Sequence, residues 1–157
     1  MKKIAVKLFF ALALIGVFTF QTQAQTIGVS GSIEKKSVKR ASTGKGTIIL
    51  SIPGDLHINS NHPSSEYLIP TTIKLNGTCV KIGKITYPKG KDRKFEFSET
   101  PINIYEGRTF IKFTFTVPRN FKSKTIGIRA LVSYQACTNE VCYAPQKKWI
   151  SLKASVK

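Results

Sequence analysis

Three cysteines, Cys79, Cys137 and Cys142, are the most reactive side chains in this sequence, and their spacing narrows the chemistry they can do. Cys137 and Cys142 enclose only Thr138-Asn139-Glu140-Val141, a loop short enough to turn a hairpin. A disulfide needs Cα atoms roughly 4.4 to 6.8 Å apart, and a hairpin mouth of this width supplies that approach. The spacing therefore predicts a bridge between Cys137 and Cys142, leaving Cys79 unpaired within a strand. Two roles stay open for the bridge: an inert clip, or a disulfide that opens and closes in use. Two also stay open for Cys79, a small buried core residue or a third thiol able to shuffle with the pair. The bridge closes a six-residue loop worth about 2 kcal/mol in chain entropy, so the fold should not depend on it.

Other chemistry finds little support. Zinc would need further ligands near the pair, and His57 and His62 lie far away in a polar, proline-containing segment, so no metal site is expected. No GxSxG, HExxH, Walker loop or paired-carboxylate pattern occurs. Gly44-Lys45-Gly46 is too short to cradle a phosphate, and no helical pattern follows it. No cofactor is implied.

The N-terminus sets the compartment. Lys2, Lys3 and Lys7 precede an apolar run over residues 8–20, and small residues follow near Ala24. That is the three-part layout of a cleavable signal peptide over residues 1–24, and the apolar run is short of the roughly 20 residues that span a bilayer. Export to the periplasm, an oxidising compartment, is the expectation, and it favours the disulfide. The net charge of the whole chain is +17, and the segment takes three lysines and no acid from it. The remainder stays strongly basic, which suits contact with an anionic surface or partner. Nucleic acid is not expected as a partner, because the basic runs at 34–40 and 89–94 lack the interleaved aromatics of a single-strand binder.

The elements that must position the cysteines read as strands throughout. Residues 25–46, rich in Ser, Gly and Lys, suggest an arm or a loosely held first strand, followed by one domain over residues 47–157. Runs at 47–52, 67–75, 79–86, 95–97, 102–105, 109–117, 125–136 and 148–155 are rich in β-branched and aromatic residues and bounded by turn formers. Asn76-Gly77 predicts a tight hairpin turn. Strict alternation marks three sets as inward-facing: Ile111, Phe113, Phe115 and Val117; Ile126, Ile128, Ala130, Val132 and Tyr134; and Ile150, Leu152, Ala154 and Val156. Long amphipathic strands at regular spacing predict an all-β, immunoglobulin-like two-sheet sandwich, with a small closed barrel as the alternative.

Tyr134-Gln135-Ala136-Cys137 followed by Cys142-Tyr143-Ala144-Pro145-Gln146-Lys147-Lys148 resembles the redox motif of the N-terminal periplasmic domain of the DsbD thiol:disulfide interchange family. Supporting similarity runs from about residue 47 to 152, through Ile85-Thr86-Tyr87-Pro88 and Ile104-Tyr105-Glu106-Gly107. The resemblance implies an immunoglobulin-like domain that passes electrons from a membrane thiol reductase to exported thioredoxin-fold proteins. It implies that Cys142 forms the mixed disulfide with partners and that Cys137 resolves it. It also implies a cap over the pair from residues 91–98, with Phe97 or Phe95 as the shielding ring. The sequence departs from the family in a shorter cysteine spacing and in Lys94-Phe95-Glu96-Phe97 at the cap. No transmembrane run or thioredoxin-like segment follows, so the electron donor is expected to be a separate protein. The rival reading is a non-redox binding or assembly module with a structural hairpin disulfide and a basic surface.

Overall fold

A computed structural model describes residues 26–157; the signal peptide expected over residues 1–24 lies outside them. Twelve strands form: β1 (Gly28–Ile33), β2 (Ser37–Val38), β3 (Ser42–Ser51), β4 (His57–Asn59), β5 (Thr72–Gly77), β6 (Lys81–Thr86), β7 (Lys91–Arg93), β8 (Ile102–Tyr105), β9 (Arg108–Val117), β10 (Thr125–Tyr134), β11 (Ala136–Cys137) and β12 (Gln146–Val156). No helix occurs among the described residues. Two four-stranded sheets, ordered β1-β3-β9-β6 and β2-β12-β10-β5, make the immunoglobulin-like sandwich that the alternation predicts. A third sheet, β11-β4-β8-β7, carries the cysteine end of the molecule.

The core is built by the alternating sets. Ile111, Phe113, Phe115 and Val117 from β9 meet Ile126, Ile128, Ala130, Val132 and Tyr134 from β10, with Ile48 and Leu50 from β3 and Leu152 and Ala154 from β12. Each large side chain removed from water contributes about 1.5–3 kcal/mol, so this layer dominates the stability. Ile150 and Val156 are only partly buried at its margin. Gly44 and Gly46 serve this core. In the β3–β9 register Gly44 faces Phe115 and Gly46 faces Phe113, and a Cβ at either position would lie 2.3 Å from the opposing ring. The glycine pair makes room for two buried phenylalanines.

Several expected elements are placed differently. Residues 25–46 hold β1, β2 and the first half of β3, with β1 paired along its length to β3. The run expected at 67–75 begins as a strand only at Thr72, because residues 60–71 form a loop latched by Thr71 donating to the Asn59 carbonyl at 2.6 Å. Asn76-Gly77 does not turn a hairpin: both residues stay in β5, opposite Arg129 and Ile128 of β10. The turn follows at residues 78–80 and carries the chain to the other sheet, where β6 pairs with β9. Long-range pairing with β10 thus overrides a local preference for the hairpin. Cys79, expected in a strand, sits on this turn instead, exposed and at φ 56°. The strand expected at 95–97 is a turn closed by Ser98 N donating to the Phe95 carbonyl at 3.1 Å, and the strand of this region is β7.

Candidate functional site

The run expected as one strand over 125–136 breaks at Gln135, and the break positions Cys137. Tyr134 ends β10 in the main sheet, whereas Ala136 and Cys137 pair with Ile58 and His57 of β4 in the third sheet. The chain therefore changes sheets two residues before the first cysteine. Gln135 Nε2 donates to the Tyr143 carbonyl at 3.0 Å, so the side chain at the break also pins the returning chain.

Cys137 and Cys142 are bridged, with Cα atoms 4.0 Å apart. Thr138 N donates to Val141 O at 2.8 Å and Tyr143 N to Ala136 O at 2.9 Å. Those two bonds flank the cysteines and make them a non-hydrogen-bonded antiparallel pair, the arrangement that brings opposed Cα atoms closest, to about 4.5 Å. The loop tip is tied by Thr138 Oγ1, which accepts from the backbone N–H groups of Glu140 and Val141 at 3.2 and 3.1 Å. The two sulfur-bearing residues differ sharply in access. Cys137 is 1% exposed, and Cys142 is exposed between exposed Val141 and Tyr143.

Ile27, Tyr134, Ala136, Tyr143, Ala144 and Gln146, residues that flank the cysteines in sequence among them, line a cleft of about 300 Å³. An aromatic stack lies against His57. The Phe95 ring stacks on His57 at 4.5 Å and Phe97 on Phe95 at 5.2 Å. Phe95 is buried at 5% exposure in a minor cluster with Ile102 and Ile104, while Phe97 is 51% exposed. The sequence expects both rings on one face through strand alternation; the turn at residues 95–98 brings them together instead. Glu106 anchors the base of this segment, paired with Arg93 at 2.5 Å and Lys91 at 3.8 Å.

His57 is the residue that sequence reasoning leaves without a role. It is buried beside Cys137 in the ladder and against Phe95. Burial holds its pKa below the usual 6.5; Glu106 pulls it back up and Arg93 pushes it further down. Its local signal is weak, because the register joining β4 to β11 is set by distant parts of the chain. His62 lies in the 60–71 loop, its backbone N–H donating to Ser60 Oγ at 3.1 Å. Among the described residues, no three His, Cys, Asp or Glu side chains gather as a metal ion would need. What the arrangement offers chemically is a two-electron sulfur couple with one sheltered and one accessible member.

Among solved structures, the chain is similar to the N-terminal periplasmic domain of ScsB from Proteus mirabilis, at 9% identity and TM-score 0.52, over 81% of this chain and 46% of that one. The chain thus spans under half of the ScsB domain's length. It is also similar to the DsbD N-terminal domain of Neisseria meningitidis in the reduced form, at 13% identity and TM-score 0.44, over 81% and 88% of the two chains. A third similarity is to a complex between the DsbD N-terminal and PilB N-terminal domains from the same organism, at 15% identity and TM-score 0.45, over 68% and 73%. No curated protein matches the chain. The model of the family described as "Thiol:disulfide interchange protein DsbD, N-terminal" matches residues 33–154, from ahead of β2 to near the end of β12, and the chain belongs to that family.

Proposed function

We propose that this domain exchanges thiols and disulfides in the periplasm, carrying electrons from a separate membrane thiol reductase to exported thioredoxin-fold proteins through Cys137 and Cys142. The observation that carries the reading is the unequal burial of the two cysteines, with Cys142 open to a partner and Cys137 sheltered behind it. In the reduced domain, the Cys142 thiolate attacks one sulfur of a partner disulfide in line, and the other partner sulfur leaves as a thiolate. Cys137 then attacks Cys142 Sγ and releases the partner's second thiolate. The partner gains two electrons and two protons, the domain dithiol becomes a disulfide, and no cofactor enters. Phe97 and Phe95 act as a cap that limits attack by small thiols while yielding to a partner able to displace it.

The test is a trap. Cys137→Ala in a Cys79→Ser background, expressed in the native host, should leave Cys142 covalently joined to a thioredoxin-fold protein, identified after thiol blocking by mass spectrometry. The Cys79 change is needed because that exposed thiol would otherwise form adducts of its own. Absence of any Cys142 adduct, with a reduction potential below about −300 mV for the unsubstituted pair, would refute the exchange.

That second result would favour the binding module, which one observation supports independently. The eight strands of the two main sheets contain ten Lys and Arg residues and no Asp or Glu. Exposed Lys74, Arg129, Lys147 and Lys153 share one outer face with Trp149, over which the Arg129 guanidinium lies at 4.6 Å. Such a face suits an anionic partner or surface whose binding weakens as salt rises.

A further inference from the structure

His57, Cys137 and Cys142 lie in one row across three adjacent chain segments, His57 opposite Cys137 in the β4–β11 pairing and Cys137 opposite Cys142 in an isolated antiparallel bridge. Directly opposed residues of antiparallel strands project to the same face, with Cβ atoms about 4.5–5.5 Å apart. The imidazole therefore flanks Cys137 on one side and the Cys142 sulfur flanks it on the other. This geometry raises a chemical difficulty. A thiol 1% exposed gives up its proton reluctantly, because burial disfavours the thiolate. Resolution nevertheless requires the thiolate.

We infer that His57 is the base that takes the Cys137 proton during resolution of the mixed disulfide, a step that deepens the exchange reading and rests on it. With a partner joined to Cys142, the Cys137 S–H passes its proton to a ring nitrogen of His57. The electron pair left on Cys137 sulfur forms the bond to Cys142 Sγ, and the bond between Cys142 and the partner breaks. The partner sulfur departs with that electron pair, and the imidazolium returns its proton to this thiolate or to water. The domain pair is oxidised and the partner reduced, with one proton moved and none lost.

The surroundings of His57 suit a neutral base. On β11 the titratable neighbour is Cys137 itself. Tyr105 of β8 is the register partner of Ile58 and so projects to the other face of the sheet, into the main core. Glu106 follows β8 and is tied up by Arg93 and Lys91 of β7. The cap presents the uncharged Phe95 ring, with Lys94 and Glu96 exposed on either side of it. Burial and Arg93 hold the imidazole neutral near pH 7 against the opposing pull of Glu106. That is the form able to accept a proton.

The experiment uses the mature chain with Cys79→Ser, reduced and mixed with excess 5,5′-dithiobis(2-nitrobenzoate). The first released aromatic thiolate reports attack by Cys142, and the second, independent of reagent concentration, reports resolution by Cys137. In the protein with His57 the second phase should be nearly flat between about pH 6.5 and 8 and fall below that, as expected when a neutral imidazole is the base. His57→Phe keeps a ring against Phe95 without a basic nitrogen, and His57→Gln keeps polarity without basicity. Both should slow the second phase about tenfold or more at pH 7 and make it climb about tenfold per pH unit, leaving the first phase unchanged. A His57 protein whose second phase climbs throughout the range would overturn the inference, whatever the variants do. So would folded variants that keep the parent rate and profile. The reagent is not a biological partner, so the two readings fail separately. A domain that resolves the reagent adduct through His57 yet traps no thioredoxin-fold protein loses the proposed function and retains this step.

Discussion

Phe97 is half exposed, stacks on Phe95 and borders a cleft shared with Leu68 and Ile102. Its removal should therefore cost little stability while changing access to the sulfur pair. Phe97→Ala is expected to speed reduction of the disulfide by a small thiol several-fold, with the reduction potential nearly unchanged, in a stopped-flow assay against dithiothreitol. An unchanged rate would reduce the ring to a packing role. Phe95→Ala is the poorer probe, because that ring is buried with Ile102 and Ile104, and losing a buried phenylalanine costs about 3–5 kcal/mol. The pairing of Cys137 with Cys142 is legible in the sequence because it is local. The place of His57 is not, because it depends on how β4 and β11 meet, and the exposure of Cys79 is hidden by strand-forming neighbours such as Val80 and Ile82.

The long strands are legible for the same reason that they are stable. In β9, β10 and the second half of β12 apolar residues recur at every second position, over 111–117, 126–134 and 150–156, and one face of each must be buried. Short elements are not. β4 is three residues in a polar run, and its pairing comes wholly from β8 and β11. The Asn76-Gly77 and 95–97 readings fail in opposite senses, a turn signal absorbed into a sheet and a strand signal folded into a turn. Gly44-Lys45-Gly46 shows what composition conceals. The pair lies in β3 beneath the buried Phe115 and Phe113 rings, each 2.3 Å from where a Cβ would stand. Gly46→Ala should accordingly destabilise. The usual gain of about 0.5–1 kcal/mol for replacing a strand glycine is outweighed by about 1–3 kcal/mol of overpacking. A melting temperature lowered by several degrees is expected, and an equal or higher one would show that the rings can yield.

Across the whole molecule, the sulfur pair sits on a sheet of its own rather than in the sandwich. Phe95, Ile102 and Ile104 form a cluster separate from the main core, whereas Ile58, Tyr105 and Ala136 tie the same sheet into that core. The disulfide closes a loop worth about 2 kcal/mol, small against the 5–15 kcal/mol typical of a domain. The double variant Cys137→Ser, Cys142→Ser should therefore unfold as one cooperative transition close to the parent, and a broad or absent transition would mark the bridge as structural. Such an arrangement also divides the backbone into two tiers of breathing. β7 and the turn beyond it can detach by giving up the minor cluster, the pairing with β8 and the exposed ion pairs to Glu106, while β9 and β10 can be released only with the sandwich. Amide hydrogens of β7 and of residues 94–98 should then trade for deuterium long before those of β9 and β10, and reduction should widen the gap. The reactive end would open and close many times within the lifetime of a single folded molecule.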